Sequence, residues 1–144
     1  MTRGKFVLIT EKAVYVSTEF NGDMYPDGHG LDVMNALKDV NSVYDFNFEV
    51  STFNSNTFEY GEKLVYKETL AWFEKAKDFR KAYYDNWFSD FLYIKNLTGK
   101  VIVFTLDDGS KRAVIPFEVA PFNFGNNLTG NDFKYLKENF KWNY

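Results

Sequence analysis

The chain has few side chains suited to catalysis, since it contains a single histidine and no cysteine. His29 lies between two glycines, in a segment that also carries Asp23, Asp27 and Asp32. A hydrolytic triad needs an imidazole beside a serine or threonine nucleophile, and this glycine-rich loop does not supply one. The aspartates offer oxygen ligands that suit Mg²⁺ or Ca²⁺, but their spacing does not match a calcium-binding loop. We therefore expect no enzymatic activity, no catalytic residue, no metal site and no cofactor.

A phosphate site is the main chemical alternative. The Asn- and Gly-rich segment 123–131 precedes a predicted helix, so its backbone N–H groups would lie near the positive end of that helix. The segment lacks the Lys-Ser/Thr ending of a P-loop and the three-glycine fingerprint of dinucleotide-binding folds. A small-ligand or nucleotide-signal binding protein, using this loop and the loop at 21–30, remains the second hypothesis. Its candidate ligand-binding residues are Asn123, Gly125, Asn127, Thr129 and Arg112.

Acidic residues are concentrated in one third of the chain. Residues 13–62 contain nine acids against Lys38 alone, although the formal net charge of the whole chain is only −3. A surface of this kind attracts basic partners and repels phosphate. The isoelectric point near 5.2 also argues against direct binding to nucleic acid. A solvated face without any partner would show the same charge pattern, so that interpretation stays open.

Tyrosines accompany the acids of this segment, and the mixture favours a protein-binding surface. Charge steers the encounter with a basic partner, while tyrosine supplies contact area that becomes buried on binding. We therefore expect a non-enzymatic binding or inhibitor protein. The candidate partner-binding residues are Glu19, Asp23, Tyr25, Asp27, Asp32, Tyr44 and Asp45.

Strands are predicted towards both ends of the chain, with helices between them. The β-branched and aromatic runs 5–10 and 13–20 predict an N-terminal antiparallel hairpin. After the irregular loop 21–30, apolar positions at helical spacing predict a helix from residue 31 to about residue 41. Ser42 is suited to cap a second helix over 43–53. In that stretch Phe46, Phe48 and Val50 also alternate as in a strand.

The second half of the chain predicts a three-stranded meander followed by a helix. An extended segment at 58–66 and an amphipathic helix at 70–83 precede strands at 91–97, 101–106 and 112–117. Asp107-Asp108-Gly109 is a hairpin signal, and Pro116 restricts its strand to an edge. Asn131 or Asp132 is expected to cap the last helix. Since 144 residues suit one core, the prediction is a single α+β domain over residues 1–144.

In length and composition the chain resembles the small accessory proteins encoded by phages and prophages of low-GC bacteria. Aromatic residues make up 20% of the chain, and its most distinctive stretch is Glu19-Phe20-Asn21-Gly22-Asp23-Met24-Tyr25. Many such proteins counter host defence, either by blocking the nucleic-acid groove of an effector with an acidic face or by trapping a nucleotide signal. The resemblance implies an anti-defence, anti-CRISPR-like viral protein.

Such a protein would act in the cytoplasm of the bacterial host, against a basic protein that handles nucleic acid. We expect no direct contact with nucleic acid. We also expect no contact with a membrane, because no apolar run approaches the roughly 18 residues of a spanning helix. A homo-oligomer is compatible with the sequence.

Overall fold

A computed structural model describes residues 3–17, 19–25, 28–53, 62–64, 90–106, 111–118 and 128–139. These residues form three helices, α1 (His29–Lys38), α2 (Val43–Phe53) and α3 (Gly130–Asn139). The strands are β1 (Arg3–Ile9), β2 (Val14–Val16), β3 (Phe20–Asn21), β4 (Glu62–Leu64), β5 (Phe91–Asn96), β6 (Val101–Leu106) and β7 (Lys111–Pro116). The predicted helix at 70–83 lies outside the described residues.

The described strands form one mixed sheet in the order β4-β2-β1-β5-β6-β7, with β3 paired to β1. β1 and β2 are antiparallel, and β5, β6 and β7 follow one another as antiparallel neighbours. β1 and β5 are parallel, with Gly4 opposite Phe91 and Ile9 opposite Asn96. The chain is thus mixed α and β, as the sequence predicts. The parallel pair that joins the two groups of strands is not foreseen from the sequence.

The two parallel strands lie in the middle of the sheet and are buried on both faces. On one face, Phe6, Leu8 and Tyr93 pack in a core that includes residues of α1 and α2. On the other face, Val7 and Ile94 belong to a second buried cluster. Burial on both faces explains the continuous apolar runs at residues 6–9 of β1 and 91–94 of β5, since neither face of such strands contacts water.

The helix interpretation of residues 43–53 is confirmed, because α2 spans this stretch. Phe46 and Val50 are one turn apart and fully buried, whereas Phe48 is 55% exposed. The backbone N–H of Asp45 donates to Ser42 Oγ at 3.1 Å, as expected of the N-cap residue. Asp45 Oδ2 in turn accepts from the Asn41 N–H at 3.1 Å. Helical spacing therefore decides which aromatic side chains reach the core.

The N-cap residue of α3 differs from the one that the sequence predicts. Neither Asn131 nor Asp132 is the N-cap residue, because α3 begins at Gly130. Thr129 takes that role: its Oγ1 accepts from the Asp132 N–H at 3.2 Å, and Asp132 Oδ2 accepts from the Thr129 N–H at 3.0 Å. This reciprocal pair is a capping box, in which the acid three residues into the helix reaches back to the cap.

Two other boundaries differ from the sequence prediction. α1 begins at His29 rather than at residue 31. The predicted strand 13–20 is divided into β2 and β3. Ser17 lies in the break between them. Its backbone N–H donates to the Phe6 carbonyl at 2.9 Å, and its Oγ accepts from the Phe6 N–H at 2.9 Å in place of a backbone carbonyl. No helix in the described part of the chain combines the length and apolar character needed to cross a membrane.

Candidate functional site

Four predicted partner-binding residues lie around the starts of β1 and β5, which we call the amino edge of the sheet. Glu19 Oε1 lies 3.4 Å from Arg3 Nη1, at the first residue of β1. The Tyr25 ring centroid is 5.4 Å from that of Phe91, the first residue of β5. Asp32 Oδ2 lies 3.4 Å from His29 Nδ1 in the first turn of α1. The fourth residue is Asp23, whose backbone carbonyl accepts from the His29 N–H at 2.9 Å.

The amino edge is tightly held by groups from distant parts of the chain. The Tyr93 hydroxyl donates to the Met24 carbonyl at 2.5 Å. A Cβ added at Gly30 would overlap the Tyr93 hydroxyl and lie 2.7 Å from the Tyr25 carbonyl oxygen, so only glycine fits there. The acids at this edge therefore lie on a closely packed part of the backbone, and Glu19 and Asp32 already lie beside Arg3 and His29.

Tyr44 and Asp45, the other predicted partner-binding residues, lie on the first turn of α2. Tyr44 is 78% exposed, and Phe48, one turn later on the same side, is 55% exposed. Glu49 follows one turn after Asp45, and Asp39 ends α1 nearby. Burial raises the pKa of the Glu49 carboxyl, and the negative charges of Asp39 and Asp45 raise it further. We call these five residues, Asp39, Tyr44, Asp45, Phe48 and Glu49, the α2 surface.

Three members of the α2 surface are missing from the sequence prediction. Phe48 and Glu49 are found by their spacing, four residues after Tyr44 and Asp45, once the segment is known to be helical. The contribution of Asp39 depends on the packing of α1 against α2, so no local pattern indicates it.

The remaining predicted residues are not gathered into one site by the described structure. Asp27, Asn123, Gly125 and Asn127 lie outside the described residues. Thr129 is the N-cap of α3, which accounts for its conformation without a ligand. Arg112 lies on β7, opposite Thr105 of β6.

An open cleft of about 570 Å³ lies at the other end of the parallel strands, which we call the carboxyl edge. Its walls come from the turn after β1 (residues 10–12), the start of α2 (residues 41–43) and the turn after β5 (residues 97, 98 and 100), with Tyr15 of β2. β1 advances six residues between the two edges, about 20 Å at 3.3 Å per residue. The acids at Glu19 and Asp45 are therefore at opposite ends of the sheet.

The turn after β5 is organised by Asn96, which is 1% exposed. Its Oδ1 accepts from the Thr98 N–H at 3.0 Å, the Thr98 hydroxyl at 2.8 Å and the Gly99 N–H at 3.0 Å. Its Nδ2 has no hydrogen-bond partner among the described residues. Lys100 then adopts a left-handed backbone with φ of 52°. Asn96 thus organises the turn in which Thr98 and Lys100 line the cleft.

A buried lysine lies beneath the junction of α1 and α2. Lys95 is 5% exposed, and its Nζ donates to the Lys38 carbonyl, at the end of α1, at 2.7 Å. Burial lowers the pKa of the Lys95 ammonium to about 8, although the negative charges of Asp39 and Asp45 act in the opposite direction. A cation here suits the negative end of the α1 dipole.

No protein-family model, curated protein or solved structure matches this chain. Within the ranges that the structure describes, no three His, Asp or Glu side chains gather as a metal-binding group.

Proposed function

We propose that this protein is a non-enzymatic binding protein that holds a basic partner protein against its α2 surface. The observation that carries the proposal is the exposure of Tyr44 and Phe48, at 78% and 55%, beside three carboxylates. Large exposed aromatic side chains are enriched at the cores of protein interfaces, where they supply most of the buried contact area.

Electrostatics favour a basic occupant for this surface. Burial is the main cause of the raised pKa of the Glu49 carboxyl, and repulsion by Asp39 and Asp45 raises it further. A Lys or Arg side chain arriving between these groups would relieve that repulsion, and an Arg would also stack on the Tyr44 or Phe48 ring. α2 carries no Lys or Arg of its own that would compete for the acids.

The partner class that we propose is a nucleic-acid-handling protein of the bacterial host. Such proteins present grooves rich in Lys and Arg to bind phosphate, and an acidic surface with flat aromatic rings competes for the same groove. The resemblance to phage accessory proteins supports this assignment. In this proposal the chain is an anti-defence, anti-CRISPR-like inhibitor acting in the host cytoplasm, without direct contact with nucleic acid.

The test is capture of partners by the tagged protein from the lysate of a low-GC bacterium, followed by mass spectrometry. We expect a basic nucleic-acid-handling protein to be retained at about 50 mM salt and released at about 300 mM, since screening weakens exposed charge pairs. An excess of single-stranded DNA should also displace this protein from the purified partner. A partner that binds equally at both salt concentrations and in the presence of DNA would contradict the proposal.

Matched variants at the two edges locate the surface. Tyr44→Ala with Phe48→Ala should abolish capture, and Asp39→Asn with Glu49→Gln should slow association. The control, Glu19→Gln with Asp32→Asn, removes the same number of charges at the amino edge and should leave capture intact. If only the control loses binding, the partner uses the amino edge and the assignment to α2 is wrong.

A further inference from the structure

We infer that the cleft at the carboxyl edge binds a small organic phosphate, with Lys12 and Lys100 as its cations. This inference is independent of the proposed function, because the cleft and the α2 surface have no residue in common. It also differs from the loop residues that the sequence indicates for a nucleotide site.

The position and size of the cleft fit a small-molecule site. It opens where the neighbouring parallel strands β1 and β5 end. Its volume of about 570 Å³ is within the range of ligand pockets. Leu97 and Val43 supply apolar surface, and the half-buried Tyr15 supplies a ring. A molecule with a flat or apolar body therefore has surfaces to contact.

The charge of the lining favours an anion, in contrast to the acidic segment 13–62. Lys12 follows β1 and Lys100 follows β5, so two exposed ammonium groups come from two different turns. Among the described residues that line the cleft, Glu11 is the one acid. Asp45, although close in sequence, does not line the cleft. Two lysines together match the charge of a phosphate monoester dianion.

Hydroxyl groups complete a polar lining. Thr10, Ser42 and Thr98 line the walls. The Thr10 hydroxyl donates to the Ala13 carbonyl and the Thr98 hydroxyl donates to Asn96 Oδ1. The Ser42 hydroxyl oxygen accepts from the Asp45 N–H, which leaves its own O–H as a donor for a ligand. Glu11 is an acceptor for a hydroxyl on the ligand body. The combination fits a phosphorylated molecule with hydroxyls, of the size of a nucleoside monophosphate.

The turn after β5 places Lys100 at the cleft. Lys100 has a left-handed backbone with φ of 52° and is the last residue of the four-residue turn between the paired residues Asn96 and Val101. Hairpin turns commonly end in a left-handed residue, and glycine is best suited to that conformation. Replacing Lys100 with glycine therefore removes the ammonium while keeping the turn.

The test uses thermal-shift and calorimetric titration of the full chain. The probes are the four ribonucleoside monophosphates, ribose 5-phosphate, inorganic phosphate and the four unphosphorylated nucleosides. At least one phosphate ester should raise Tm progressively with concentration, because it binds the native state alone. The nucleosides should not. No shift with any ester, or equal binding of every ester and inorganic phosphate, would overturn the inference.

Lys100→Gly separates binding from folding. Because glycine suits a positive φ, we expect the free variant to melt at the same temperature as the parent or higher. Its affinity for the best ester should fall by about tenfold or more, as expected for loss of one charge-assisted contact. Lys12→Gln should weaken binding similarly, while Lys134→Gln, on the exposed side of α3, serves as the control. Unchanged affinity in Lys100→Gly would remove Lys100 from the site and contradict the proposal.

Discussion

The two edges of the parallel pair β1 and β5 differ in how much freedom the fold leaves them. At the amino edge, the Tyr93 hydroxyl donates to the Met24 carbonyl, and Gly30 lies so close to this hydroxyl that no Cβ fits between them. At the carboxyl edge, an open cleft lies beside the exposed rings of Tyr44 and Phe48. Acidic residues of one segment therefore have different surroundings: Glu19 and Asp32 lie beside Arg3 and His29, whereas Asp45 lies on the helix that exposes Tyr44 and Phe48.

The difference follows from the partners of the acids. Glu19 lies beside Arg3, and Asp32 lies beside His29. On the α2 surface, Asp39 and Asp45 have a buried cation as their neighbour, because their charges favour the ammonium form of Lys95, whose Nζ donates to the Lys38 carbonyl. Burial raises the pKa of Glu49, and the same two acids raise it further. Charge counted along the sequence cannot distinguish these situations, because both contain the same residue types.

The largest effect is expected at the amino edge. Gly30→Ala places a methyl group against the Tyr93 hydroxyl and the Tyr25 carbonyl, and overpacking of this kind costs about 3 kcal/mol in the free energy of unfolding. Gly130→Ala is the control, since nothing lies within 4 Å of a Cβ added there; we expect a gain of about 0.5 kcal/mol from helix propensity. Urea denaturation measures both. Equal stability of the two variants would mean that the amino edge is not rigid.

The next effect concerns pH and the buried Lys95 near the carboxyl edge. Its pKa in the folded protein, about 8, is below the value of 10.5 for an exposed lysine. Between these values the unfolded chain binds more protons, so stability rises with pH. The gain from this residue is about 2 kcal/mol between about pH 7 and about pH 10. It is fully present only above the unfolded pKa and is lost as pH falls to the folded one.

Lys95→Met should remove this slope while keeping much of the side-chain volume. The measurement is the free energy of unfolding of parent and variant across the same pH range, taken as a difference so that tyrosines and other lysines cancel. A parent and variant with parallel pH profiles would show that the Lys95 ammonium is not destabilised by burial.

The smallest effect compares two tyrosines. Tyr25 is 51% exposed but packs its ring against Phe91, so Tyr25→Ala should cost about 1 kcal/mol. Tyr44 is 78% exposed, and Tyr44→Ala should change stability by less than about 0.5 kcal/mol. Thermal and urea denaturation can resolve this difference. A larger loss in Tyr44→Ala would mean that Tyr44 supports the fold and is not free to serve a partner.

Much of the local structure is predictable from the sequence, because the signals act over a few residues. The Ser42 cap and helical spacing indicate α2, alternating and β-branched runs indicate the strands, and Asp107-Asp108-Gly109 indicates the connection between β6 and β7. The cap of α3 is missed because Thr129, Asn131 and Asp132 are all favourable N-cap types. Only the hydrogen bonds between Thr129 and Asp132 decide among them.

The sites depend on contacts that no local pattern specifies. Local patterns establish that the chain mixes helices with strands, that residues 13–62 are strongly acidic, and that Tyr44 and Asp45 are candidates for binding. The parallel alignment of β1 with β5, in which Gly4 lies opposite Phe91, is visible only in the folded chain. That pairing brings Lys12 and Lys100 to one cleft and places Glu19 and Asp45 at opposite ends of the sheet. Pairing β1 with β5 buries both faces of these two central strands. Any continuous apolar run could be buried in the same way, so the sequence alone does not specify which strands become neighbours.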